Sequence, residues 1–159
     1  MRLMRKLITF ILAACTIFSV GAQPNIIGRW KSDAERTMNF NSAHAKLSEK
    51  KHHFLSQILG HLTVTFTENE VHLEMPSLEV TAANGKRNIF VGFKETNPYQ
   101  VLGYSSKSIA ILSPQPVTGG PKVITVYNFE NSNIMWIYLA GADKDFPDEH
   151  LREYFVRIP

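Results

Sequence analysis

The chain has 159 residues, with 17 Lys and Arg against 14 Asp and Glu and a single cysteine. That length suits one domain with its own core, and one cysteine excludes both an internal disulfide and a Cys-rich zinc site. The formal charge of +3 does not indicate nucleic-acid binding, which needs a clustered basic surface, because three of the basic residues stand in an N-terminal leader.

Residues 1–22 read as a secretory signal. Arg2, Arg5 and Lys6 precede an apolar run over residues 7–20, broken by Thr9, Thr16 and Ser19. Val20-Gly21-Ala22 then places small residues where a signal peptidase needs them. The run is about 14 residues, short of the ~20 that span a bilayer. Cleavage after Ala22 leaves residues 23–159, one β domain with 17 minus 3, or 14, basic residues against 14 acidic ones. A second processing site, Leu12-Ala13-Ala14-Cys15, resembles a lipobox, and lipidation of Cys15 would tie the protein to a membrane. The apolar run continues past Cys15, where a polar tether is usual, which favours the Ala22 site. The expected location is exported, periplasmic or secreted, with a lipid anchor at Cys15 as the alternative.

The remaining chain is patterned mainly with period two. A first strand is expected over 26–31 and a second over 37–40. One amphipathic helix is expected over 43–59. His44, Leu47, Lys51, Phe54, Leu55 and Ile58 share its face, Asn41 or Ser42 caps its start, and Gly60 stops it. Its apolar side should lie across the mouth of the sheet structure or on one face. Leu62, Val64 and Phe66 alternate with threonines, and Val71, Leu73 and Met75 alternate with His72 and Glu74, with Glu68-Asn69 as the hairpin turn. Asn84-Gly85 is a strong turn signal between strands near 78–82 and 88–93. Further strands are expected over 99–104, 108–112, 123–129, 134–139 and 152–158. Nine or ten short strands with hairpin connections predict a mainly β fold, an antiparallel up-and-down meander closing as a barrel, with one helix after the first strands.

The chemistry-bearing residues lack catalytic or metal spacing. His44, His52, His53 and His61 crowd together, yet no pair stands at i and i+4. Asp143, Asp145, Asp148 and Glu149 hint at a calcium loop but lack its Gly and distal Glu. There is no Gly-x-Ser-x-Gly, and Ser48-Glu49-Lys50-Lys51 matches Ser-x-x-Lys without its companion motifs. An enzyme is therefore not expected, nor a cofactor or a bound metal. The aromatics are more informative. Tyr104, Tyr127, Phe129, Trp136 and Tyr138 fall on strands, and Tyr and Trp can line a pocket for a partly apolar ligand.

Gly28-Arg29-Trp30 on the first strand and Arg157 on the last resemble the lipocalin-like (calycin) barrels, including small bacterial exported members of unknown role. The resemblance implies that Trp30 plugs one end, that Arg157 packs over it, and that Gly28 belongs to the same closure. It also implies a small apolar or amphipathic ligand held in the barrel. The alternative is an envelope structural or protein-interaction module with a filled core and no ligand. Neither reading gives an oligomeric state.

Overall fold

The computed structural model describes residues 23–115, 120–139 and 150–159. The expected signal segment over 1–22 with Cys15, and the acidic run from Asp143 to Glu149, lie outside the described residues. In chain order the elements are β1 (Gly28–Ser32), α1 (Ala34–His44), α2 (Glu49–Ile58), β2 (Thr63–Phe66), β3 (Glu70–Met75), β4 (Leu78–Thr81), β5 (Arg87–Phe90), β6 (Phe93–Pro98), β7 (Gln100–Tyr104), β8 (Ser108–Gln115), β9 (Gly120–Asn131), β10 (Ile134–Tyr138) and β11 (Arg152–Ile158).

Nine of these strands form one antiparallel sheet in the order β6-β3-β2-β1-β11-β10-β9-β8-β7. Its two edge strands are separated in sequence by Tyr99 alone. One bent ribbon therefore pairs with β3 through its first half and with β8 through its second, and the sheet curls into a nearly closed barrel. β1 sits between β2 and the last strand, in register Trp30 opposite Arg157 and Ser32 opposite Phe155. The expected turns are present. Thr67 N–H bonds Glu70 C=O across Glu68-Asn69, and Gly85, at a φ of 82°, turns the chain between β4 and β5. Those two strands form a small sheet of their own outside the barrel.

The helical region corrects two expectations. Residues 37–40, expected as a strand, are helical, and the single helix over 43–59 is two helices. Asp33 caps α1 by accepting from Arg36 N, and Ser48 caps α2 by accepting from Lys51 N. Ala45 between them is extended. The reason for α1 lies in tertiary contacts. β1 ends at Ser32, so the upper edge of β11 has no strand beside it. Thr37 and Asn41, four residues apart on α1 and fully buried, take that place. Tyr154 N donates to Thr37 Oγ1 at 2.9 Å, Arg152 N donates to Asn41 Oδ1 at 2.9 Å, and Asn41 Nδ2 donates to Arg152 C=O at 2.8 Å. The apolar side of α2 does not cover the barrel either. Gln57 on this helix bonds both the N–H and the C=O of Thr81 on β4, so α2 carries the small sheet instead. Phe54 stays exposed and no residue of α2 is fully buried.

Candidate functional site

The barrel has two unlike halves. At one end Trp30 is fully buried among Phe66, Ile109, Phe129, Met135 and Phe155, all at most 7% exposed. Trp30 meets Phe129 edge-on at 5.9 Å, and Phe66 meets Tyr127 the same way at 5.2 Å. Trp30 Nε1 donates to Ile26 C=O at 2.8 Å, so the indole's polar tip is satisfied. The Arg157 guanidinium lies over the indole, 4.2 Å from its centroid. It donates to Asn25, Ile27 and Ser132 carbonyls, closing the end with charge-assisted bonds. Gly28, with a φ of 128°, leaves room for it, since a Cβ there would stand 2.5 Å from Arg157 Nη1. Gly28, Trp30 and Arg157 thus form one unit.

The other end, where α1 leaves the sheet, is built differently. Strand register fixes which side chains point inward, because directly opposed residues share a face. Leu73 is opposite Glu95, Val71 opposite Asn97, Ile111 opposite Thr125 and Ser113 opposite Val123. Glu95, Asn97, Val123 and Thr125 therefore face the interior with the core residues, yet they are only half-buried, as are Leu73 and Ile137.

Glu153 belongs to this half. It alternates with Phe155 on β11, pairs with Ile137, and is 5% exposed. Ser32 Oγ donates to its Oε1 at 2.6 Å and itself accepts from Gly60 N at 2.8 Å. Gly60, at a φ of 91°, packs so close to Ala34 that a Cβ would meet it at 2.6 Å. This approach brings the residues after α2 down onto Ser32. Burial pushes the Glu153 carboxyl up to about 7 against the pull of the Ser32 bond. Burial, with the nearby Glu153 charge, also raises the Tyr127 phenol.

The chain matches no family model, no curated protein and no solved structure.

The five aromatics expected to line a pocket do not share one chamber. Tyr127 and Phe129 are inside, in the filled half. Trp136 and Tyr138 face outward, where Arg152 lies 3.8 Å from the Trp136 ring, 4.2 Å from Phe40 and 5.3 Å from Tyr138. Tyr154 is buried beside them, so these rings fasten α1 to the barrel wall. Tyr104 is exposed on edge strand β7. The inward polar residues Glu153, Ser32, Glu95 and Asn97 were missed in the sequence. Parity carried the signal for the first, since an inward Arg157 on a strand puts Phe155 and Glu153 on the same side.

Four histidines are tied to local partners. His44 stacks on Phe40, His52 meets Ser42, His53 meets Thr81 C=O, and His72 meets Thr96. Outside the barrel there are open hollows of about 430 Å³ beside α1 and about 300 Å³ between α2 and the small sheet. A third, of about 390 Å³, lies against residues 23–27.

Proposed function

We propose that this chain is an exported, lipocalin-like binding protein that receives a small amphipathic molecule in the helix-end half of its barrel. The observation that carries this reading is the step in burial along the barrel. Inward residues around Trp30 are sealed, whereas inward residues around Glu95 and Thr125 are half-open and mix apolar with polar side chains. That composition, apolar walls with a few polar groups, is the usual make-up of a small-molecule site. The calycin-like reading is supported by the Gly28-Trp30-Arg157 closure and by β1 lying between β2 and β11. Export is supported by the order of basic, apolar and small residues in 1–22.

Native mass spectrometry of the protein purified from its exported fraction tests this. The expected spectrum starts at Gln23 and carries an added small-molecule mass that is lost on denaturation. A ligand-free spectrum, with no uptake of added amphiphiles, would favour the second reading, an interaction module. For that reading the specific observation is the apolar exposure of Phe54, Ile89 and Val91 around the small sheet.

A further inference from the structure

We propose that Glu153 is the polar anchor of the barrel chamber, and that the molecule held there carries a protonated amine on a small apolar body. This rests on the chamber reading above and adds the chemical class of the ligand.

Four observations support it. Glu153 points into the barrel, because it shares a face with Phe155 and Ile137. One oxygen, Oε1, is held by Ser32 Oγ, and Ser32 is itself fixed by Gly60 N–H, so the carboxyl is oriented before any ligand arrives. Among the described residues, Oε2 has no hydrogen-bond partner, and it is not sealed from solvent although the residue is 5% exposed, so a ligand donor can reach it. Finally, the charged residues facing inward in this half, among those described, are both acidic. Glu95 on β6 and Glu153 on β11 stand four strands apart in the sheet order, on opposite walls of the barrel. Lys31, Lys94, Lys122 and Arg152 belong to the outward-facing positions of their strands. A carboxylate-bearing ligand would meet repulsion at Glu153, and a cation would meet attraction.

Among the described residues, those shown against Glu153 are Ser32 of β1, Tyr127 of β9 and Ile137 of β10, and none of the three is a cation. The carboxyl, pushed up to about 7 by burial, is thus divided between its two forms near neutrality. An ammonium group beside it favours the ionised form, so amine binding releases a proton and strengthens as pH rises from 6 to 8. The apolar body would lie against Ile111, Leu73 and Ile137, in a space suited to one small ring or short chain.

The test uses three probes of one shape, 2-phenylethylamine, 2-phenylethanol and phenylacetate, titrated calorimetrically into the exported protein at pH 6 and pH 8. The expected order at pH 8 is amine over alcohol by about tenfold or more, with phenylacetate weakest. The amine's affinity should rise several-fold from pH 6 to pH 8, and the alcohol's should stay level. Glu153→Gln should remove the amine's advantage and its pH dependence while leaving the alcohol's affinity in place. Ser32→Ala, which frees Oε1 without removing the charge, should keep the preference for the amine. If amine and alcohol bind alike and Glu153→Gln changes neither, the anchor is overturned and the chamber stands. If none of the three binds the wild-type protein, the chamber falls and the anchor with it.

Discussion

A Cβ on Gly28 would stand 2.5 Å from Nη1 of Arg157, so these two residues share a space that a side chain at 28 would close. The guanidinium passes through that gap to lie over Trp30 and to reach the carbonyls of Asn25 and Ile27. The spacing of Gly28 and Trp30 on β1 follows from this. Trp30 supplies the plug, and Gly28, two residues earlier on the same face, supplies the passage for the arginine.

Gly28→Ala should therefore destabilise the protein by about 2–4 kcal/mol. It adds backbone strain of about 1–3 kcal/mol at a φ of 128° and displaces a stacked cation worth about 0.5–2 kcal/mol. Urea melts of the single and double variants check this. Adding Arg157→Ala to Gly28→Ala should cost less than Arg157→Ala costs alone, because the two residues act on one contact.

Trp30→Ala removes a fully buried indole and should cost about 3–5 kcal/mol. Arg157→Ala should cost less, about 1–2 kcal/mol, from lost stacking and lost bonds to carbonyls near the surface. Thermal denaturation should rank the two in that order, and equal costs would mean that Trp30 does not fill the end.

Asn41→Leu keeps the size of the residue but leaves the Arg152 N–H and C=O unpaired in a part-buried place. The expected loss is about 2–4 kcal/mol, the cost of two orphaned backbone groups. Hydrogen exchange gives a local reading. The amides of Arg152 and Tyr154 should lose protection, while those of β8 and β9 should exchange as before.

Glu153 makes stability depend on pH. Its folded-state value near 7 lies above the ordinary 4.5, so the folded protein holds the proton more tightly than the unfolded chain. Stability from this group is full below about 4.5 and is lost as pH rises through about 7. Each pH unit in that window is worth up to about 1.4 kcal/mol, a total on the order of 3 kcal/mol. Glu153→Gln should flatten this part of the profile. In urea melts the variant should exceed wild type at pH 8 and approach it near pH 5. A wild-type advantage at pH 8 would show that the carboxylate is paired.

The sequence by itself determined most of the strands and their turns, but not β6, of which only Phe93 fell in an expected strand. Alternation in 62–75 and 152–158 has period two whatever the surroundings, and turn residues such as Asn84-Gly85 act through their own backbone freedom. Through its resemblance to lipocalin-like barrels it also marked Gly28, Trp30 and Arg157, and the ring and cation on the first and last strands do meet when the sheet curls. The tertiary structure decided the rest, because those choices depend on partners distant in the chain. Thr37 to Phe40 carry residues that suit a strand, but the open edge of β11, more than 100 residues away, is matched by side chains at Thr37 and Asn41 on a helix. The amphipathic stretch after Ser48 is helical as its spacing implies, yet the hydrogen bonds of Gln57 to Thr81 assign it to the small sheet rather than to the barrel. The aromatics on β9 and β10 read alike in sequence, but register puts Tyr127 and Phe129 inside and Trp136 and Tyr138 against Arg152 outside. Glu153 shows the limit most plainly. A carboxylate in the last strand reads as a surface charge until the curl of the sheet turns its face inward and places Ser32, 121 residues away, against it.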